Sequence, residues 1–172
     1  FVLNSFMREE IRPFYRFELF PNLKKLSISQ ADHLYPLDSF VIDGFAALNK
    51  LEHLKLDIQS RSVGSHYLFK GLLKLPLLKK FSLNINFMKN SDWVLLQQFV
   101  KDQRNLQSFG LTIMNQPGTK ARYLQQNAYL EELIKCLKDK PQLKSLEFRS
   151  GYWSLEALSK GFGHLTNMVG QI

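Results

Sequence analysis

The chain of 172 residues is long enough to bury one substantial core, and its 45% hydrophobic and 22% charged residues are typical of a globular protein. No stretch approaches the roughly 18 uncharged apolar residues of a membrane span, so the sequence predicts none. A single cysteine, Cys136, excludes an intrachain disulfide and a cysteine-based zinc cluster, and it favours a reducing, intracellular compartment, cytoplasmic or nuclear. The net charge of +8 would attract an acidic partner, yet the basic residues are dispersed over the chain.

The chain begins with an aromatic segment, residues 1–20, which we interpret as either a degenerate repeat or a cap. Residues 21–172 carry about five repeats of roughly 28 residues, and Leu165 to Met168 resemble the opening of a sixth. Because a stacked repeat needs a polar cap at each end, we expect the chain to be part of a longer array or to be covered there by a partner.

One motif, apolar-x-x-apolar-x-apolar, recurs five times along the chain. Its first leucines are Leu23, Leu51, Leu78, Leu106 and Leu143, which are separated by 28, 27, 28 and 37 residues. The apolar residues alternate with polar ones at the centre of each unit, as in Leu54, Leu56 and Ile58, which predicts a strand with one buried face. The longer fourth interval indicates an insertion.

Between the strands, apolar residues recur at steps of three and four, which is typical of helices. The predicted helices lie around 38–48, 65–74, 93–100, 129–137 and 154–162. Ser91 is the expected N-cap of the third helix, and Glu131 and Lys135 are expected to pair on the fourth. One strand and one helix per unit predict a stack of parallel strands over one continuous core.

The five motifs resemble the conserved half of the leucine-rich repeat, L-x-x-L-x-L-x-x-N/C-x-L. The 28-residue unit with a helix is similar to the ribonuclease-inhibitor-like subclass, which is typically intracellular. The resemblance implies an α/β solenoid of curved, right-handed strand–helix repeats, with a parallel sheet on the concave face and helices on the convex face. The family's asparagine position holds Asn86 in the third unit and Ala31, Gln59, Met114 and Gly151 in the others, which marks a diverged repeat.

Residues with catalytic potential are scattered over the sequence. The four histidines, His33, His53, His66 and His164, fall in different units without metal-ligand spacing, and no phosphate-binding glycine motif occurs. Cys136 lies on an apolar helix stripe, where we expect a buried structural thiol rather than a nucleophile, with no cation assigned beside it. We therefore expect no catalysis, no cofactor, no metal and no small-molecule substrate.

The outward residues of the predicted strands form the candidate binding surface. They make three columns: Lys25, His53, Lys80, Ser108, Ser145; then Ser27, Lys55, Ser82, Gly110, Glu147; then Ser29, Asp57, Asn84, Thr112, Arg149. We single out as partner-binding Lys25, Ser27, His53, Lys55, Asp57, Lys80, Asn84, Thr112 and Arg149. The columns are polar, mixed in sign and basic towards the N-terminal units; ordinary solvent-facing strand residues would explain them equally well.

The insertion, residues 115–127, is a second candidate site. Pro117 and Gly118 predict a turn, and Lys120, Arg122 and Tyr123 follow it. Two cations beside an aromatic ring would suit a phosphate and a stacked base. A tolerated loop excursion is the alternative.

Taken together, these features predict a non-catalytic protein–protein interaction scaffold, a subunit or domain of a larger intracellular complex that binds another protein on its concave face. An RNA-associated subunit with a basic face is the alternative. A substrate receptor of a ubiquitin ligase is a further alternative, because resembling repeat proteins often have that role.

Overall fold

A computed structural model describes residues 2–5, 17–30, 44–58, 65–114 and 120–150 of the chain. The strands are β1 (Val2–Ser5), β2 (Lys25–Gln30), β3 (His53–Ile58), β4 (Lys80–Ile85), β5 (Ser108–Ile113) and β6 (Ser145–Ser150). The helices are α1 (Ser65–Leu72), α2 (Asn90–Asp102) and α3 (Lys120–Lys138). A 3-10 turn at Phe17–Leu19 and a helical turn at 44–47 complete the described elements.

The described strands form one sheet in the order β1 to β6, and every neighbouring pair is parallel. The register places equivalent positions of successive units side by side, so that Lys25 lies opposite His53 and His53 lies opposite Lys80. The mixed α/β class and the parallel sheet expected from the motif spacing are therefore confirmed. Strand β1 extends the sheet by pairing Val2 with Ser27.

The alternating pattern of each strand buries one face of the sheet. Leu54, Leu56 and Ile58 are all buried, as predicted. Aromatic rings cross the sheet on this side, with the Phe81 and Phe109 centroids 5.8 Å apart. Each fully buried side chain of this size stabilises the fold by roughly 1.5–3 kcal/mol.

The helices pack on the same apolar side of the sheet. The predicted stripe on α2 is completely buried, and the Phe99 ring lies 4.9 Å from that of Phe81 on β4. Trp93 of α2 stacks on Tyr129 of α3 with centroids 6.1 Å apart, and Gln97 Nε2 donates to the Tyr129 carbonyl at 3.1 Å. Helices α1, α2 and α3 contact one another in chain order. The predicted helix at 154–162 lies outside the described residues.

Two local expectations about the helices are wrong. Helix α2 begins at Asn90, and its N-cap is Lys89 rather than Ser91. The reason is the buried Asp92 carboxylate, which accepts the Lys89 backbone N–H at 2.9 Å and so fixes the helix start. On α3, Lys135 pairs with Glu132 at 2.6 Å instead of with Glu131, because residues three apart also share a helix face.

From Lys120 onwards the insertion is helical and differs from the loop that the sequence suggested, while the turn predicted at Pro117 and Gly118 lies outside the described residues. Helix α3 already begins at Lys120, so Lys120, Arg122 and Tyr123 belong to its first turn. The residues from 120 to 126 are mostly strong helix formers, which favours this earlier start. The extra length of the fourth unit therefore goes mainly into the helix, which has 19 residues against 13 in α2.

A tight turn precedes each of the strands β2 to β6, and the sequence motif did not include it. Six residues before the first leucine of each unit lies a buried apolar residue: Phe17, Phe45, Leu72, Val100 and Leu137. The carbonyl of each accepts the backbone N–H three residues later, at 2.9–3.2 Å. The sequence shows an apolar residue at this position in all five units, so the position of the turn could have been predicted.

Backbone hydrogen bonds also join successive units just before the strands. The Lys24 carbonyl accepts the N–H groups of Glu52 and His53, both at 2.9 Å. The carbonyls of Glu52, Lys79 and Gln107 accept pairs of N–H groups from the following unit in the same way, at 2.7–3.1 Å. These bonds fix the approach of one unit to the next without using any side chain.

Within the described ranges, no helix is both long and apolar enough to cross a membrane.

Candidate functional site

The outward side chains of β2 to β6 form one surface, which we call the strand face. The strand register places the members of each predicted column side by side on neighbouring strands. Each column is therefore a row of side chains that runs across the sheet. The first row runs from Lys25 to Ser145, the second from Ser27 to Glu147 and the third from Ser29 to Arg149. All nine partner-binding candidates named from the sequence therefore lie on one face of the sheet.

An open depression of about 440 Å³ lies at the N-terminal ends of β2 to β5. Its polar lining consists of Lys25, Ser27, His53, Lys55, Lys80, Ser82 and Ser108. Neighbouring strands are about 4.8 Å apart, so the three residues Lys25, His53 and Lys80 span about 10 Å. We call these three residues and Lys55 the basic cluster. Ser82 and Ser108 belong to the predicted columns but are not among the nine partner-binding candidates.

The imidazole of His53 lies between two lysines on neighbouring strands. Its pKa is lowered from 6.5, first because His53 is partly desolvated and then because Lys25 and Lys80 disfavour a further positive charge. Glu52 acts in the opposite direction but more weakly, and Lys79 adds a small effect of the same sign as the other lysines. His53 is therefore mostly uncharged at neutral pH, and the lysines carry the positive charge of the cluster.

Two lysines of the cluster keep their charge uncompensated by the carboxylates of the described residues. Glu52 binds Lys79 at 2.9 Å, and this hydrogen bond is the main cause of its lowered pKa. Asp57 accepts a hydrogen bond from Asn84 Nδ2 at 3.0 Å. Among the described residues, neither Lys55 nor Lys80 forms an ion pair. The N-terminal part of the strand face is thus positively charged.

The other half of the strand face is different in character. On β5 it presents the small residues Ser108, Gly110 and Thr112, and a Cβ added to Gly110 would lie 3.4 Å from Ser82 Oγ. On β6 the guanidinium of Arg149 forms an ion pair with Glu147. This half is low in relief and close to neutral.

The second sequence candidate does not join this site. Lys120, Arg122 and Tyr123 belong to the helix that follows the C-terminal end of β5. The basic cluster lies at the opposite, N-terminal ends of the strands. The sheet therefore separates the two candidates.

The thiol of Cys136 is buried in α3, as expected. Burial raises the pKa of its thiol, and this outweighs the opposite effect of Lys101, a cation that the sequence did not place there. Lys140 also lies close by, and its Nζ donates to the Lys101 carbonyl at 2.7 Å. In the part of the chain that the structure describes, no three His, Cys, Asp or Glu residues are grouped to hold a metal ion.

No protein-family model matches this chain, and no curated protein is significantly similar to it in sequence.

Proposed function

We propose that this chain is a non-catalytic protein–protein interaction module, a diverged leucine-rich-repeat solenoid that serves as a subunit or domain of a larger intracellular complex. The sequential order of the strands and the pairing of equivalent positions support a solenoid, because each unit then contacts mainly its two neighbours. In such a stack the strand face is the concave face and α1 to α3 lie on the convex side.

The observation that carries this proposal is the division of the sheet into two unlike faces. One face is filled by apolar side chains from strands and helices, whereas the strand face carries polar residues on five neighbouring strands. Four strand spacings give this surface a width of about 19 Å, which suits an extended segment of another protein. Its modest relief and dispersed polar groups favour many weak contacts over the enclosed binding of a small molecule.

Protein is favoured over RNA as the partner by the residues of the strand face. The outward positions of β2 to β6 include no Phe, Tyr or Trp on which a base could stack. Asp57 and Glu147 interrupt the basic surface and would repel phosphates along an extended strand. A partner with both charged and polar groups matches this mixture better.

The test is position-specific photo-cross-linking in the cells from which the protein comes. A photoreactive amino acid replaces Ser82 on the strand face, and in the control it replaces Val94, which is exposed on α2. We expect a defined protein cross-linked from position 82 and absent from position 94. The same band should disappear in the charge-reversal variant Lys80→Glu.

Three outcomes would contradict the proposal. Cross-links from position 94 alone would place the partner on the helices. A cross-linked species that nuclease treatment destroys would identify RNA as the ligand. Failure of position 82 to cross-link any defined species would leave the strand face without a partner.

A further inference from the structure

We propose that the depression formed by the basic cluster binds an extended acidic segment of the partner protein, and that His53 takes up a proton when this segment binds. This inference rests on the proposed function and adds to it the chemistry of the segment and a dependence on pH. It requires four cationic or protonatable groups to meet the same ligand, and the sheet register provides this arrangement.

The spacing of the cluster suits carboxylates that are distributed along a chain. Lys25 and Lys80 are two strands apart, about 10 Å, which is close to the distance between residues i and i+3 of an extended peptide. Lys55 lies two positions along β3 from His53, about 7 Å away, which corresponds to residues i and i+2. Lysine is a compact point charge without the planar fork of arginine, so separate carboxylates are a better match than one tightly held bidentate group.

The hydroxyl groups of the depression complete its polar lining. Ser27, Ser82 and Ser108 lie beside the lysines, and each can donate a hydrogen bond to a carboxylate or to a peptide carbonyl. Their side chains are short, which leaves room for the backbone of an incoming segment above them. The outward positions of β2 to β4 carry three lysines and one carboxylate, that of Asp57, so positive charge is in excess there.

The proton uptake follows from the charges around His53. It lies opposite Lys25 on β2 and Lys80 on β4, with Lys55 two positions along its own strand, while Glu52 and Lys79 lie at the start of the strands. The lysines disfavour its protonated form in the free protein. Carboxylates placed among them would reverse this effect and raise the pKa, so the complex binds more protons than its separate components. By linkage, acidification through this range strengthens binding.

The experiment measures binding by fluorescence anisotropy at low ionic strength. The labelled probe is a short synthetic peptide that repeats Glu-Ser-Glu-Glu, which places carboxylates at both the i,i+2 and the i,i+3 spacing, and the control probe repeats Gln-Ser-Gln-Gln. We expect the acidic peptide to bind, and its affinity to increase by about 3- to 10-fold when the pH falls from about 7.5 to 6. His53→Gln should abolish this increase.

Matched variants distinguish a specific site from general charge attraction. Lys25→Gln and Lys80→Gln should each weaken peptide binding about 3- to 5-fold, as expected for exposed charges. Lys70→Gln and Lys74→Gln make the same change in net charge at exposed positions of α1 and the turn that follows it, and they should have no effect. Circular dichroism and urea unfolding verify that every variant is folded.

The inference is wrong if the control lysines matter as much as the cluster, if the Gln peptide binds equally well, or if His53→Gln keeps the full pH dependence. Tighter binding of an oligouridine RNA than of the acidic peptide would also overturn it. If the peptide fails to bind while position 82 still cross-links a partner, this inference fails and the proposed function stands. If both experiments fail, both proposals fall.

Discussion

A substitution at Gln103 tests how much a side-chain hydrogen bond between neighbouring units contributes to stability. Its side chain is only 2% exposed, and its Oε1 accepts the Leu78 N–H at 3.1 Å while its Nε2 donates to the Leu75 carbonyl. Other units close the same turn directly, with the bonds Leu51 N to Leu48 O and Leu143 N to Lys140 O, both 3.1 Å. The Gln103 amide therefore bridges two backbone groups that bond to each other elsewhere in the chain.

The informative substitution is Gln103→Leu, which retains bulk and introduces the residue that two other units carry at this position, Leu48 and Leu75. Loss of the amide leaves one buried N–H and one buried carbonyl in need of partners, at about 1–3 kcal/mol each. These two groups can bond to each other only if residues 75–78 move together, and the close packing of Leu75 and Leu78, which are at most 1% exposed, opposes this movement. Allowing for the apolar area that leucine adds, we expect the free energy of unfolding to fall by about 2 kcal/mol.

Urea unfolding followed by far-UV circular dichroism measures this change. With a slope of about 2 kcal/mol per molar urea, the midpoint should fall by about 1 M. Gln142→Leu is the matched control at an exposed position, and it should change stability by less than about 0.5 kcal/mol. A Gln103→Leu midpoint equal to or above that of the parent protein would show that the turn closes without the amide, and this would refute the argument.

Three further outcomes are expected. Gly110→Ala should raise the free energy of unfolding by about 0.5 kcal/mol, because the new Cβ makes only ordinary contact with Ser82 and alanine restricts the unfolded chain; a clear loss of stability in the urea titration would contradict this. Cys136 should react with a disulfide reagent far more slowly in the folded protein than in urea, because it is buried and its thiol pKa is raised; equal rates would argue against its burial. The free energy of unfolding should decrease as the pH falls from about 6.5 towards the lowered folded-state pKa of His53, because the unfolded chain binds more protons there. His53→Gln should show a smaller decrease over the same range, and an unchanged slope would refute the assignment.

The strands and the core were predictable from sequence for a simple reason. Alternation such as that of Leu54, Leu56 and Ile58 leaves only one way to bury every apolar side chain on a strand. Because the units repeat, the same pattern also fixed which positions would pair across the sheet. The rows of the strand face followed from that alignment without any knowledge of the structure.

Features that depend on contacts between units were harder to predict from the sequence. Gln103 stands where two other units have leucine, and its role depends on a turn that lies 28 residues earlier in the chain. The predicted start of α2 is wrong because Ser91 is a good N-cap on local criteria alone. The hydrogen bond from the Lys89 N–H to the Asp92 carboxylate determines where the helix begins. The lowered pKa of His53 likewise combines desolvation with charges from two other strands, and the desolvation depends on the three-dimensional packing around the imidazole.

The paired backbone hydrogen bonds that join successive units have a consequence for the binding that we propose for the strand face. Because the carbonyls of Lys24, Glu52 and Lys79 set the approach of each unit, the residues on the strand face do not determine the spacing between strands. A side chain such as Lys25 or Lys80 can then be exchanged for one of opposite charge while its position in space is retained. Because the strands keep their positions, a few such substitutions would make the strand face negatively charged and suited to a basic ligand.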